Sequence, residues 1–221
     1  MSPDVCLLII ASYICGSFPS GFIVAKIFAG TDIRSKGTSQ IGAANVTRQL
    51  GKKFGALSLS LDLLKALIPM AIIKYLFLMP DWVVTVCGCA AVFGHDYSIF
   101  LELNGGEGLA TSMAVLFFLA PFHFLVVGPF AIATGYLTGY VTIAGVVQFW
   151  AYGVSAWSTG APMPAVYATI ALVTLGLIKQ IPWVSKYPIG KFMNQNFVAP
   201  STETVASFSK ELHPRKSHLP A

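Results

Sequence analysis

Apolar residues in this chain do not alternate with polar ones; they run together in long blocks. Val5 to Phe28 is the first block, carrying Gly16-Ser17-Phe18-Pro19 mid-way and Lys26 near its end. Phe54 to Met79 and Trp82 to Phe100 follow, separated only by Pro80-Asp81. Each approaches the roughly 20 residues that cross a bilayer as a helix, and the two-residue break predicts a tight helical hairpin. From Gly108 to Lys179 the chain is almost continuously apolar, broken at Pro121, Gly135, Gly139 and the Gly160-Ala161-Pro162-Met163-Pro164 segment.

The blocks can be given a sidedness from charge. The loop from Gly30 to Lys53 holds Arg34, Lys36, Arg48, Lys52 and Lys53 against the single acid Asp32. Beyond Ile178 stand Lys179, Lys186, Lys191, Lys210, Arg215 and Lys216 against Glu203 and Glu211. Both are expected on the cytoplasmic side, where Lys and Arg accumulate. The hairpin returns the segment from His95 to Gly108 to that same face, so the stretch after it must cross an even number of times. Two crossings leave too much apolar chain, and four are expected, with breaks near Pro121, Gly139 and Gly160. The predicted fold is an all-α polytopic membrane protein of about seven transmembrane helices, N-terminus outside and C-terminus cytoplasmic. Residues 1–181 form the membrane domain. Residues 182–221, with scattered prolines and no apolar period, read as a mobile cytoplasmic tail. Met1-Ser2-Pro3-Asp4 lacks the basic start of a secretory signal, so the first block reads as a retained span. No internal repeat is visible, which argues against a carrier built from inverted halves.

Composition removes the soluble alternatives. Of 221 residues, 55% are hydrophobic and 10% charged, with a mean hydropathy of +0.71; a soluble domain carries roughly 25% charged residues. The net charge of +5 fits cytoplasmic loops of a cell inner or plasma membrane protein better than a nucleic-acid surface, and no nucleic-acid partner is expected. Cys6, Cys15, Cys87 and Cys89 all lie in apolar stretches and read as buried, inert thiols. His123, His213 and His218 have no neighbours at metal-ligand spacing, and neither metal nor cofactor is expected.

Two polar loops concentrate the chemistry. In the first, Gly37, Thr38, Gln40, Gly42, Asn45 and Arg48 interleave turn-permitting glycines, hydrogen-bonding side chains and a guanidinium fork suited to phosphate oxygens. An ordinary topology-setting loop accounts for the cations alone; the amides and small residues between them do not follow from that. In the second, His95 precedes Gly105-Gly106-Glu107-Gly108, which opens directly into an apolar run. Glycine N–H groups at a helix start are a recurrent phosphate cradle. Both loops are expected on one membrane face. Elsewhere, Asp62 and Lys65 stand one helical turn apart and are expected to pair, and Lys74 to snorkel outward.

The two loops make the chain specific. It resembles the bacterial acyl-phosphate-dependent glycerol-3-phosphate acyltransferases, an integral membrane family of phospholipid synthesis. The match runs from Gly16-Ser17 to Ala66 without a gap, through Asp32-Ile33-Arg34, Gly37, Ile41-Gly42-Ala43, Asn45, Arg48, Leu50-Gly51-Lys52-Lys53 and Leu61-Asp62-Leu63-Leu64-Lys65. It returns at Gly94-His95 and from Phe100 to Ser112, and weakly at Tyr140-Val141. The first half of the chain is covered closely and the second loosely. The resemblance implies transfer of an acyl group from acyl phosphate to the 1-hydroxyl of glycerol 3-phosphate, giving lysophosphatidic acid and phosphate. It further implies His95 as the catalytic residue. Substrate phosphate would be bound by Gly37, Thr38 (serine in the family), Gln40 (asparagine in the family), Asn45, Arg48, Gly105, Gly106 and Gly108. An enzyme that makes acyl phosphate becomes an expected partner, beside membrane lipid. The chain departs from the pattern at Glu107 and Asn104, where the family has lysine, at Ala44 for threonine and at Gly139 for arginine. The closing His-Arg-x-Asn-Ile motif is not recognisable around Lys179-Gln180-Ile181-Pro182. These departures keep open a catalytically degenerate relative that binds lipid or protein.

Overall fold

The computed structural model describes residues 2–138 and 141–186. Every regular element among them is helical: α1 Pro3–Ser17, α2 Ser20–Ala29, α3 Ala43–Leu50, α4 Lys52–Ala71, α5 Asp81–Asp96, α6 Leu109–Leu119, α7 Pro121–Thr138, α8 Val141–Ser158 and α9 Met163–Lys186. Single turns of 3-10 helix stand at Ile33–Ser35 and Ile99–Leu101, and a π-helical turn, Ile72–Leu76, extends α4. Three continuous stretches are long and apolar enough to cross a bilayer: Pro3–Ala29, Lys52–Leu76 and Asp81–Leu101. Leu109–Leu119, Pro121–Phe130 and Met163–Lys179 are shorter apolar helices. The stretch after Gly108 is cut at Ala120 and at 159–162, close to the expected breaks at Pro121 and Gly160; the break expected at Gly139 lies outside the described residues.

The described residues form two compact units, one of residues 2–19 and 60–186 and one of residues 20–59. In the larger unit α1 lies against α5 at a distance only small residues allow. A Cβ added to Gly16 would overlap the backbone of Ala91, and one added to Gly94 would overlap that of Tyr13 and come within 2.9 Å of the Ser17 nitrogen. Close approach through small residues is how helices associate in lipid, where burial alone gives no drive. The seam is tied by the Tyr13 hydroxyl, which donates to the Tyr97 carbonyl at 2.8 Å, and by Ser98, whose hydroxyl donates to the Ser17 carbonyl. Met70, Val83, Val84, Val115, Leu116 and Leu172 fill the interior behind it, with Tyr152 donating to the Leu116 carbonyl at 2.9 Å. The opposite faces leave large apolar side chains uncovered: Leu7 is 67% exposed, Tyr75 71% and Trp157 71%. In a chain this poor in charge, those faces are covered by lipid.

Four expectations change. The first block is not one helix: Pro19 lacks an N–H and drives Phe18 to an extended ψ of 117°, so α1 ends at Ser17 and α2 begins at Ser20. Lys74 does not snorkel alone but pairs with Asp81 across the turn. Cys6 and Cys15 are exposed; only Cys87 is fully buried. The tail placed from 182 onward begins inside α9, which runs to Lys186, and residues 187–221 lie outside the described residues.

Candidate active site

The smaller unit is organised by one asparagine. Asn45 is 1% exposed, on the first turn of α3. Its amide nitrogen donates to the carbonyls of Gln40 at 2.8 Å, Lys36 at 3.1 Å and Ile33 at 3.3 Å, while its oxygen accepts from the Thr38 N–H at 3.2 Å. Four backbone groups of an irregular loop are thereby satisfied by one side chain. Asn45 shapes the loop, its amide donors and acceptor being engaged by backbone groups. Gly37 belongs to the same arrangement: φ is +57°, and an added Cβ would overlap Asn45 Oδ1 and lie 2.6 Å from Gln49 Nε2. Gly42, by contrast, has φ −69° and open space where a Cβ would stand, so nothing there demands glycine.

What remains available in this unit is consistent. Arg48 is half-buried and makes no hydrogen bond or ion pair among the described residues. The neighbouring Arg34 is engaged with Asp32, Nη2 to Oδ2 at 2.8 Å and Nε to Oδ1 at 3.1 Å, and stacks over Phe22 at 5.0 Å. The hydrogen bond from Arg34 holds the Asp32 carboxyl below the usual carboxylate range. The loop thus neutralises one of its cations and leaves the Arg48 fork unpaired, with the Thr38 hydroxyl and the Gln40 amide on the segment that Asn45 holds.

The larger unit contains a buried set of charges centred on Lys65. Its Nζ donates to His95 Nδ1 at 2.6 Å and to the Phe18 carbonyl at 3.0 Å, and stands 2.9 Å from Asp62 Oδ1. His95 Nδ1 lies 3.5 Å from the same carboxylate oxygen. Relative exposure is 8% for Lys65, 1% for Asp62 and 3% for His95. The predicted Asp62–Lys65 pair is present, one turn apart on α4; the third member comes from the end of α5. The break at Phe18-Pro19 supplies the carbonyl, since Pro19 ends the helix there. With Lys65 charged, its ammonium can only donate, which assigns His95 Nδ1 as the acceptor and the ring proton to Nε2. His95 therefore presents an N–H donor away from Lys65.

The glycine run lies on this set, in a way the sequence did not anticipate. The Gly106 N–H donates to the His95 carbonyl at 3.0 Å and the Gly105 N–H to the Asp96 carbonyl at 3.2 Å. Both carbonyls belong to the last turn of α5, which has no helical partners for them. The phosphate-cradling N–H groups expected at Gly105 and Gly106 are therefore committed to the protein's own backbone. A Cβ at Gly106 would come within 2.9 Å of His95 Cε1 and closer still to Nε2; one at Gly108, where φ is +67°, would overlap Asp96 Oδ1. The glycines make room for His95 and Asp96. Gly108 still precedes the open N-terminus of α6.

Two further residues join the site, Lys179 and Asp96. Lys179 of α9 donates from Nζ to the Asp96 carbonyl and lies 4.4 Å over the Tyr97 ring. Asp96 is 1% exposed, with neither carboxylate oxygen hydrogen-bonded, and faces a cavity of about 20 Å³ shared with Glu107 and Ser112. That volume holds about one water. An ionisable residue within an apolar run is a site hypothesis by default, which is the signal Lys179 carried.

With this geometry in hand, comparison with known proteins is direct. The family model described as glycerol-3-phosphate acyltransferase matches residues 6–187. A glycerol-3-phosphate acyltransferase of Lawsonia intracellularis is 35% identical over 170 residues, covering 77% of this chain and 84% of that protein. One of Aquifex aeolicus is 44% identical over 123 residues, covering 54% of this chain and 64% of that relative's length. Among solved structures, the crystal structure of PlsY (YgiH), an integral membrane glycerol 3-phosphate acyltransferase, in its glycerol 3-phosphate form, matches with a TM-score of 0.79. Identity is 30%, over 88% of this chain and 96% of that one. The lysophosphatidic acid form of PlsY matches with a TM-score of 0.77.

Proposed function

The chain belongs to the glycerol-3-phosphate acyltransferase family, and from that premise we propose that it transfers an acyl group from acyl phosphate to glycerol 3-phosphate. The glycerol 1-hydroxyl oxygen attacks the acyl carbonyl carbon and forms the ester bond of lysophosphatidic acid. The bond from that carbon to the phosphate oxygen breaks, its electron pair leaves with phosphate, and the hydroxyl proton ends on the released inorganic phosphate. No covalent enzyme intermediate and no redox partner is required.

Besides family membership, the observation that carries this reading is the buried Asp62–Lys65–His95 set beneath the glycine run. Such a set is costly inside an apolar protein unless every member is paired, and it fixes one imidazole tautomer with Nε2–H outward. A preorganised donor of that kind stabilises negative charge developing on a carbonyl or phosphoryl oxygen, typically by about 2.7–4 kcal/mol. In the smaller unit, Arg48 supplies a bidentate fork for a phosphoryl group, with the Thr38 hydroxyl and the Gln40 amide as further hydrogen-bond partners and Asn45 and Gly37 shaping the loop. Gly108 leaves the α6 N-terminus open to an anion. Seven crossings of the cell's inner or plasma membrane, N-terminus outside, set the basic loop at 30–53 on the cytoplasmic face, where an enzyme producing acyl phosphate would deliver the donor.

Purified protein in detergent or nanodiscs, given acyl phosphate and glycerol 3-phosphate, should release phosphate and form lysophosphatidic acid in equal amounts. His95→Ala should lower kcat by about 10²–10³-fold, the scale of losing one preorganised donor. Absence of turnover across acyl lengths and polyol phosphates would remove the proposal.

A further inference from the structure

Helix α9 reaches the turn that carries His95 through one charged side chain. Lys179 stands 83 residues after Asp96, yet its ammonium donates to the Asp96 carbonyl and lies 4.4 Å over the Tyr97 ring. The residue is half-buried, and the carboxylates of Asp96 and Glu107 both attract it. One turn earlier on α9, Gly176 and Leu177 wall the small cavity that those two acids face. The ammonium thus stands at the C-terminus of α5, where the helix dipole is negative, and on the face of an aromatic ring that attracts cations.

What this contact holds is the peptide that follows His95. The Tyr97 N–H closes the last helical bond of α5, to the Phe93 carbonyl at 2.8 Å. Beyond it, the Tyr97 carbonyl accepts from the Tyr13 hydroxyl at 2.8 Å and the His95 carbonyl from the Gly106 N–H at 3.0 Å. The Asp96 carbonyl takes two donors, the Gly105 N–H at 3.2 Å and the Lys179 ammonium. A charge-assisted hydrogen bond is roughly twice as strong as a neutral one, so Lys179 is the firmer of the two anchors. Lys65 holds the imidazole at Nδ1, but a ring pinned at one nitrogen can still tilt about that contact. The direction of Nε2–H would tilt with it. Fixing the backbone on both sides of the His95–Asp96 peptide removes that freedom.

We propose that Lys179 is a positioning residue for the transfer reaction: from α9 it fixes the peptide after His95, and so the direction of the Nε2–H donor, without touching either substrate. The proposal rests on the acyl-transfer reading and extends the machinery of that site to the last described helix. It makes the charge of residue 179, and not its bulk, the property that counts. Arginine can donate to the same carbonyl and stack on the Tyr97 ring. Methionine fills similar space and does neither.

The test uses the full-length protein in nanodiscs with acyl phosphate and glycerol 3-phosphate, comparing Lys179→Met, Lys179→Arg and Thr174→Ala. Thr174 is exposed on the same helix and its hydroxyl donates to the Ile170 carbonyl of that helix at 2.8 Å, so it serves as the control. Lys179→Met should lower kcat by about 10–100-fold, up to the loss that a misplacement near 1 Å produces. The KM values for both substrates should stay within threefold. Lys179→Arg should keep kcat within threefold of the unsubstituted protein, and Thr174→Ala should change nothing. The nitrogen resonance of His95 Nε2 should shift or broaden in Lys179→Met and recover in Lys179→Arg. A tenfold rise in KM for glycerol 3-phosphate with kcat retained would make Lys179 a phosphate ligand and overturn the proposal. Unchanged kcat in Lys179→Met, or a loss that arginine does not restore, would overturn it as well. Should Lys179→Met not fold, Lys179→Gln keeps a donor without the charge. A kcat below that of Lys179→Arg, with a displaced Nε2 signal, supports the proposal; equality of the two variants ends it. The resonance needs no turnover, so an inactive unsubstituted protein would remove the acyl-transfer reading alone, whereas an unmoved Nε2 signal in an active one would remove the role of Lys179 alone.

Discussion

Replacing Gly106 by alanine tests the central geometry with a single methyl group. The Gly106 backbone is anchored by its N–H bond to the His95 carbonyl, and the His95 ring is anchored by Lys65 at 2.6 Å. Neither side of the contact is the loose end of a flexible chain. The added Cβ would lie 2.9 Å from His95 Cε1 and 3.1 Å from Cδ2, and closer to Nε2. Restoring ordinary contact requires the ring to move by the order of 1 Å, because packed interiors transmit rather than absorb such overlap. Overpacking of this kind costs about 1–3 kcal/mol of stability, and a misplacement near 1 Å lowers catalysis by about 10²-fold. The expected outcome for Gly106→Ala is a folded protein with kcat/KM reduced by about 10²-fold and a melting temperature lower by roughly 2–10 °C. Gly42→Ala, where an added Cβ meets nothing, should stay within threefold of the unsubstituted protein in the same phosphate-release assay. Nitrogen chemical shifts of His95 offer an independent check: Nδ1 should resonate as an acceptor and Nε2 as a protonated nitrogen, and Gly106→Ala should perturb Nε2. A Gly106→Ala protein with unchanged kcat/KM would refute the argument that this glycine exists to seat the imidazole.

Other substitutions probe separate parts of the same account. Arg48→Lys keeps the charge and loses the fork; with charge-assisted hydrogen bonds worth about 1.5–3 kcal/mol, the KM for glycerol 3-phosphate should rise about 10–100-fold with kcat less affected, and a kcat-only effect would place Arg48 elsewhere. Asp62→Asn leaves Lys65 buried without its counter-ion, a change that costs about 3–5 kcal/mol when one partner of such a pair is removed; thermal unfolding should report it, whereas an unaltered melting temperature would mean the pair is not buried in the membrane-embedded protein. Glu107→Lys replaces the second acid in the cavity it shares with Asp96 by an ammonium and should raise phosphate affinity; a drop in affinity would show that Glu107 has a role of its own.

The helical, lipid-facing character was legible because it depends on sums over many residues: long apolar blocks and a shortage of charge leave no other solution. The helix ends were legible where proline sets them, at Pro80, Pro121 and Pro162, less so at Phe18-Pro19, where an unbroken apolar run hid a change of helix. The family was legible from the order of residues in two loops. What the loops do with their atoms was not. The sequence shows that Gly105 and Gly106 can bring N–H groups to an anion, but not that the last carbonyls of α5 are nearer. It shows that Asn45 can donate to a ligand, but not that three carbonyls of its own loop take those donors first. Lys179 was counted as a cytoplasmic charge because one-dimensional position cannot reveal that α9 brings it to the Asp96 carbonyl. Each of these depends on which backbone groups a fold leaves unsatisfied, and that is decided by tertiary contact.

The same competition explains why glycines stand where they do. The last turn of α5 is buried, with His95 3% and Asp96 1% exposed, so its unpaired carbonyls must find donors within the chain. The Gly105 and Gly106 N–H groups provide them, and only glycine lets the strand of backbone lie close enough to do so without striking His95. The loop therefore serves the imidazole from two sides, satisfying its carbonyl and clearing space at Nε2, while Lys65 fixes Nδ1. A histidine held in this way loses the freedom to change tautomer, and with it the usual role of a base that takes up and returns a proton at one nitrogen. What it gains is a donor of constant direction. The reaction proposed above asks for a fixed donor more than for a base, since the departing phosphate is itself able to take the hydroxyl proton.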